Sequence, residues 1–379
     1  MSPLSLYVHM PWCLRKCPYC DFNSHEVKTA LPEQTYIEAL LADLAGQLET
    51  FAFNPKLVSI FIGGGTPSLF SADSYRQLLA GIDTLLALTE DVEITLEANP
   101  GTFESAKFAA YRALGINRLS IGVQSFCDAQ LSRLGRVHDG AAARMAAEQA
   151  REAGFTRLNL DLMFGLPKVP EYDALTDLQI ALDLAPEHLS WYQLTLEPNT
   201  YFHRYPPPQL PDDQHNFILQ QRGQALLAAA GYQQYEVSAY AKPGQACRHN
   251  GNYWRFGDYL GIGAGAHGKI SLARPGQIVR TVKAKHPAAY LAAPRHTDIR
   301  VVTEDELPLE FMMNHLRLRE GFALMDFTRQ TGLPDSVLQP GLEHALQQGL
   351  LQRQGQQYRA TELGWRFLDE LLTLFVPSC

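Results

Sequence analysis

The chain has 379 residues, 46% of them hydrophobic, and a net charge of −8 from 32 Lys and Arg against 40 Asp and Glu. That length supports one large domain and a smaller one, and the acidic balance excludes a general nucleic-acid footprint. No apolar run reaches the ~18 residues a membrane span needs, and no signal peptide opens the chain, so a reducing, cytoplasmic or similar compartment is expected.

Leu4 to His9 reads as the first strand. It leads into Cys13-Leu-Arg-Lys-Cys17-Pro-Tyr-Cys20, three cysteines at spacing C-x3-C-x2-C. A loop this tight can curl around an iron–sulfur cube and give one thiolate to each of three irons, leaving the fourth iron without a protein ligand. Structural zinc would need a fourth ligand, Asp21, His25 or something distant, and no second C-x2-C exists. Cys127, Cys247 and Cys379 are scattered and read as buried or incidental thiols.

Pro32 suits the first turn of a helix to about Glu49, whose Tyr36, Ile37, Leu40, Leu41, Leu44 and Leu48 form an apolar stripe. Leu57 to Ile62 is a nearly all-apolar strand running into Gly63-Gly-Gly-Thr-Pro67. Helices are expected over Ser74–Leu86, Phe103–Leu114, Cys127–Leu134, Gly140–Ala153 and Ala174–Leu184. Strands are expected over Val92–Glu97, Asn117–Val123, Arg157–Leu162 and His188–Thr195. Six strand–helix units in series argue for a parallel sheet with right-handed crossovers, curled into a barrel or left as a flat doubly wound sheet.

Residues 198–213 are proline-rich and read as a surface connection. A helix near Gln214–Ala230 and a strand Tyr235–Tyr240 follow, and 241–300 reads as irregular and glycine-rich. Within it, Gly263-Ala-Gly265-Ala-His267-Gly268 matches G-x-G-x-x-G without the amphipathic helix a dinucleotide fingerprint needs, so it reads as a backbone-close turn. From Glu304, helices over Leu307–Leu318, Leu324–Thr331 and Leu338–Gln348, a hairpin over Leu350–Thr361 and a last helix Glu362–Phe375 suggest a winged-helix-like module. With 6 Arg, no Lys and 11 Asp or Glu, residues 304–379 carry −5, which disfavours DNA and suggests a cover over the barrel mouth or a partner surface. The organisation expected is a core over 1–235, a connecting segment over 236–300 and a C-terminal module over 301–379.

In parallel barrels ligands bind at the carboxyl ends of the strands. There this chain places Gly63-Gly64-Gly65-Thr66, Glu97, Gln124 and Asp161. Read singly, the glycines are a tight turn, the carboxylates caps, and Arg136 a solvated helix end. Read together, they form one mouth, where Arg136 could grip a carboxylate through two parallel hydrogen bonds.

The cysteine spacing with Pro18-Tyr19-Cys20 resembles the radical S-adenosylmethionine (SAM) superfamily. The runs Tyr7-Val-His-Met-Pro-Trp-Cys13, Gly63-Gly-Gly-Thr-Pro67, Glu97-Ala-Asn-Pro100, Gly122-Val-Gln-Ser125 and Asn159-Leu-Asp-Leu162 resemble the oxygen-independent coproporphyrinogen dehydrogenases and their relatives over essentially the whole chain. The resemblance implies a six-unit partial (β/α) barrel and a 4Fe-4S cluster on Cys13, Cys17 and Cys20. It implies SAM contacts at Tyr7, Tyr19, Gly64, Gly65, Thr66, Glu97, Gln124, Arg136 and Asp161, and an electron donor for reductive SAM cleavage. The dehydrogenases carry a fourth cysteine where this chain has Phe22, which weighs against coproporphyrinogen oxidation.

His249-Asn-Gly-Asn-Tyr253-Trp254, with Cys20-Asp-Phe22, is similar to the HemW group of heme chaperones. That implies heme on His249, with Tyr253 and Trp254 offering flat surface, Arg248 and Arg255 meeting propionates, and His267 as a second ligand candidate. A packed aromatic loop with a satisfied histidine is the bland alternative. Three functions follow: heme transfer to an acceptor, of which a membrane-associated respiratory protein is one candidate; a radical SAM oxidoreductase acting on coproporphyrinogen or another tetrapyrrole; and a nucleic-acid-binding regulator, which the acidic terminal module disfavours.

Overall fold

The computed structural model describes residues 3–52, 56–101, 106–170, 172–272 and 277–376. Twelve described strands form one open mixed sheet. Its centre is parallel: β1 (Leu4–Met10), β2 (Leu57–Gly64), β3 (Leu88–Ala98), β4 (Arg118–Gln124), β5 (Leu158–Phe164) and β6 (His188–Gln193), side by side in chain order. The two ends of the sheet do not pair with each other, so no closed barrel forms.

Strand alternation decides between a partial barrel and a flat doubly wound sheet. One face is apolar and buried under the helices: Leu6, Val8, Ile60, Ile62, Leu96, Ile121, Leu160 and Leu189 pack with Ile37, Leu40, Leu78, Ala146 and Leu178. The other face carries Ser5, Tyr7, Ser59, Glu93, Thr95, Glu97, Ser120, Asn159, Asp161 and His188. These polar groups bond to one another, as in Ser5–Ser59 at 2.7 Å and His188 Nδ1–Asn159 Oδ1 at 2.6 Å. A doubly wound sheet would need a second layer of helices over an apolar face; here that face is the polar lining of a concave interior. The fold is the six-unit partial barrel of the radical SAM type.

Several expectations change. The run Tyr235–Tyr240 is a tight hairpin of β7 (Gln233–Glu236) and β8 (Ala239–Ala241), with β8 antiparallel to β6. Residues 241–300 are not irregular. They hold a helix (Arg248–Trp254) and four strands, β9 (Asp258–Ile262), β10 (His267–Ser271), β11 (Ile278–Val282) and β12 (Asp298–Val301). β9 adds in parallel beside β1, and β10 to β12 continue as an antiparallel meander. Glycines hid this because they serve as turns: Gly263 and Gly265 have φ of 104° and 78° between β9 and β10. The G-x-G-x-x-G run is therefore a strand-to-strand turn with no helix behind it.

The helix expected over Phe103–Leu114 is seen as Phe108–Ala113, and residues 102–105 lie outside the described residues, as does Cys379. The C-terminal module has its own core around Phe311, Phe327, Leu342 and Leu371. Three helices (Leu307–His315, Leu324–Thr331, Gln339–Gln347) precede the hairpin Leu351–Gln354/Gln357–Ala360, a winged-helix arrangement. The last helix breaks at Phe367, whose φ of −115° and ψ of 48° separate Glu362–Arg366 from Leu368–Thr373. The module does not cover the mouth. It docks beside the strand-start end of the sheet, where Arg317 reaches Glu236 at 3.2 Å and Phe256 packs on Phe311. Among the described residues no helix is long and apolar enough to cross a membrane.

Candidate functional site

β1 ends at Met10 and the chain turns through the cysteine loop over the mouth of the barrel. Trp12–Cys13 pairs with His25–Glu26, closing the loop on itself. The loop is tied to β2 by backbone bonds from Gly65 N to Met10 O and Thr66 N to Trp12 O, each 2.7 Å. This approach requires glycine: a Cβ on Gly65 would lie 2.5 Å from Trp12 O, and one on Gly64, at φ 115°, would lie 2.6 Å from the His9 ring.

Cys13, Cys17 and Cys20 are half-buried and line one cavity of about 300 Å³. Tyr19, Gly64, Gly65, Thr66, Glu97, Gln124, Arg136 and Asp161 line the same cavity, contributed by the loop, by the ends of β2 to β5 and, for Arg136, by the turn after the helix Asp128–Arg133. Tyr7 does not. It lies one layer deeper, its hydroxyl 2.9 Å from His9 Nδ1. His9 Nε2 lies 2.8 Å from Asn23 O. A carbonyl only accepts, so Nε2 carries the proton and Nδ1 accepts from Tyr7. Tyr7 thus fixes the ring packed beneath Gly64.

The electrostatics of the cavity are asymmetric. Burial, and then the nearby Asp161, push Glu97 up to about 8, although Gly64 N donates to its Oε2 at 3.0 Å. Asp161 is also raised by burial, against bonds from Asn159 Nδ2 at 2.8 Å and Ser120 Oγ at 3.2 Å. Two enclosed carboxyls facing one space suit a cation. In the same lining, Arg136 Nη2 donates to Asn99 Oδ1 and Gly122 O, both at 2.7 Å, and Nη1 lies 3.7 Å from Cys17 Sγ. Arg136 Nε is enclosed and has no partner among the described residues, a donor available to a ligand carboxylate. Gln124 holds φ of 68°, strained for a non-glycine residue, and its Oε1 accepts from Tyr192 at 2.6 Å.

The donor set fits the groups the loop suggests. Three thiols on one loop suit a cluster with an open corner. Burial raises the Cys13 and Cys20 thiols, so in the unloaded chain they are held neutral. Two carboxyls and a guanidinium in one lining suit the ammonium and carboxylate of an amino acid. Asn99, Tyr192 and Arg15 also belong to the lining and were not singled out from sequence; Phe22 belongs to it too, and was singled out only as the place of a missing fourth cysteine. Asn99 had a signal, its place in Glu97-Ala-Asn-Pro; Tyr192 and Arg15 had none.

The HNxxYW segment lies elsewhere. It forms the helix Arg248–Trp254 at the opposite end of the interior, pinned by Glu93 Oε1, which accepts from Arg248 N at 2.8 Å. His249 is 8% exposed. Its Nδ1 lies 3.2 Å from Ser59 Oγ and its ring packs 5.0 Å from Phe61. Burial lowers its pKa to about 3, so the imidazole is neutral. Tyr253 and Trp254 meet edge to face, and the Arg317 guanidinium sits 4.3 Å over the Trp254 ring. Arg248 pairs with Asp91 at 2.7 Å and Arg255 with Glu320 at 2.6 Å. His267 is exposed at the start of β10, and its turn meets the cysteine loop through Asn23 Nδ2, which donates to Ala264 O at 2.9 Å. His249, Tyr253, Trp254 and His267 do not line the cysteine cavity.

Comparison with known proteins places this geometry. Residues 7–179 match the model of the radical SAM superfamily and residues 302–367 that of the HemN C-terminal domain. The chain superposes on the solved Escherichia coli coproporphyrinogen III oxidase (HemN) with a TM-score of 0.82 at 22% identity, covering 99% of this chain and 90% of that one. Fold and site define a member of the radical SAM superfamily. The chain is 50% identical over 381 residues to the Haemophilus influenzae protein named heme chaperone HemW, covering 100% of this chain and 99% of that one. It is 49% identical over 378 residues to the Escherichia coli protein of the same name, with the same coverage. The chain belongs to the HemW family.

Proposed function

We propose that the chain binds heme and passes it to an acceptor protein, and that it carries a 4Fe-4S cluster on Cys13, Cys17 and Cys20 with SAM at the open iron. The observation that carries the cofactor part is the single cavity shared by the three thiols, the raised Glu97 and Asp161 carboxyls, and Arg136 with its unpartnered Nε. When bound, cluster and SAM supply one-electron reduction of a sulfonium. This chain's own residues bind and orient. Glu97, with the Gly64 and Gly65 backbone, receives the ammonium, Arg136 the carboxylate, and Tyr19 and Gln124 the remainder. The cavity walls limit water at the site. An electron donor is required and would approach the cysteine loop from outside.

The heme part is supported by full-length similarity to relatives named heme chaperones. Function in the cytoplasm accords with this reading. The test is an anaerobic titration of the cluster-loaded chain with ferric protoporphyrin IX beside an unrelated protein of equal charge. Saturation near one heme per chain, tighter than in the control, supports the reading; equal binding in both sinks it.

A second reading, a radical SAM oxidoreductase acting on coproporphyrinogen III or another tetrapyrrole, is favoured by the HemN-like fold. Phe22, exposed at the cavity rim, stands where those enzymes have a fourth cysteine. Release of 5′-deoxyadenosine stimulated by an added porphyrinogen would favour this reading; release unchanged from SAM alone would remove it.

A further inference from the structure

One run of polar contacts crosses the barrel interior from the cysteine cavity to the helix Arg248–Trp254. It begins in the cavity wall, where Asp161 Oδ1 accepts from Asn159 Nδ2 at 2.8 Å. The other amide atom, Asn159 Oδ1, lies 2.6 Å from His188 Nδ1 on β6. An amide oxygen only accepts, so His188 Nδ1 carries the proton and Nε2 is bare. That bare nitrogen lies 2.9 Å from the Tyr235 hydroxyl on β7, which donates to it. The same hydroxyl oxygen meets the backbone N–H of Cys247. Cys247 is the residue that opens the helix carrying His249.

Satisfying buried groups requires only that each bond be made, in either direction. Here every donor points the same way, from the helix toward the Asp161 carboxyl. Bonds aligned head to tail polarise one another, so a change of charge at one end is felt at the other. Asn159 and His188 are buried, so water does not compete for these bonds, and burial keeps the His188 imidazole neutral. A cationic ligand facing Asp161 favours the ionised carboxyl, a stronger acceptor than the acid. The helix start is held by polar groups besides this run: Glu93 Oε1 accepts from Arg248 N at 2.8 Å and from Cys247 Sγ at 3.4 Å. The His249 ring is closed in by Phe61 and Ser59. A porphyrin cannot lie against so enclosed a ring unless the helix moves outward, which defines a seated and a displaced arrangement.

We propose that Asn159, His188 and Tyr235 couple the two ends of the interior: SAM beside Asp161 tightens the seat of the helix and lowers the affinity for heme. Heme, by displacing the helix, lowers the affinity for SAM by the same factor. This coupling rests on the heme-binding reading above, with heme borne by the helix of His249. His188 and Tyr235 touch neither ligand and act as positioning residues, and SAM becomes a signal for heme release.

The test uses the cluster-loaded full chain without reductant, so that SAM stays intact. Ferric protoporphyrin IX is titrated with and without saturating SAM, and SAM binding is measured by dialysis with and without heme. Each ligand should weaken the other about fivefold in wild type. Hydrogen exchange over residues 245–256 is followed in parallel without heme, and SAM should slow it. Tyr235→Phe removes one hydroxyl from the run; it should bind SAM alone as wild type does and lose both effects. Tyr232→Phe is the control. It removes a buried hydroxyl that bonds Pro186 O outside the run, and should keep both effects. Heme affinity indifferent to SAM in wild type, coupling that survives Tyr235→Phe, or coupling lost in Tyr232→Phe overturns the proposal. Absence of saturable heme binding in wild type defeats the heme reading, a different failure. The exchange measurement then judges the run alone: no slowing by SAM in wild type, or equal slowing in Tyr235→Phe, sinks it.

Discussion

Glu97 is a carboxyl held neutral by its surroundings in the unloaded chain, and that has measurable consequences. Its folded pKa of about 8 lies above the ordinary glutamate value, so the folded state binds a proton more tightly than the unfolded state does. It therefore costs stability as pH rises from about 4.5 to about 8. Glu97→Gln should abolish that cost. Compared by thermal melting of the unloaded protein, the variant should gain on wild type as pH rises through that window. The same variant should bind SAM about tenfold or more weakly by equilibrium dialysis, since a charge-assisted bond is lost. A variant no more stable at pH 8 than at pH 5 relative to wild type would contradict the burial argument. Arg136→Lys keeps the charge but loses the fork that holds Asn99 and Gly122 while leaving Nε open. A comparable weakening of SAM binding is expected. Glu97 was legible in the sequence because a polar residue ending an apolar strand is a local signal, whereas Arg136, just past the helix Asp128–Arg133, was assigned to SAM only through the family resemblance. Tyr7, named through the resemblance, does not itself line the cavity, and reach into a cavity depends on strand tilt, which local sequence does not carry.

At the scale of elements, the loop over Gly63–Thr66 and the cysteine loop are one construction, each held by the other's backbone. Gly65→Ala would drive a Cβ to 2.5 Å from Trp12 O, a backbone atom that cannot swing aside. Destabilisation of about 2 kcal/mol or more in denaturant melts is expected, with loss of reconstituted iron and sulfide. Full iron loading in this variant would show that the two loops are not coupled. The six parallel strands were legible from alternating strand and helix patterns, because each unit is local. β9 was not. It inserts beside β1 from more than 240 residues away, and a short glycine-flanked run does not announce its partner. The HNxxYW segment was legible as a motif but not as a place. Its burial is set by Glu93, Ser5 and Ser59, which belong to distant strands.

For the whole molecule, the interior is a column with the cysteine loop at one end and the Arg248–Trp254 helix at the other. The C-terminal module is fastened to that second end by Arg317 over Trp254 and by Arg255–Glu320. His249 is held neutral, with a pKa near 3, and an unfolded histidine titrates near 6.5. Its contribution is therefore intact above pH 6.5 and lost as pH falls toward 3. Wild type should lose stability relative to His249→Gln on acidification through that window; a constant difference would refute the assignment. The acidic module was expected over the mouth or at a partner surface, because charge patterns show what a surface repels and not where it docks. The most direct test of the account as a whole is heme hand-off. The chain loaded with one ferric protoporphyrin IX is mixed with rising concentrations of a heme-free respiratory cytochrome, and the Soret change is followed. A transfer rate that increases with acceptor concentration, above the spontaneous loss of heme, is the predicted result. A rate fixed at spontaneous loss at every acceptor concentration would contradict it.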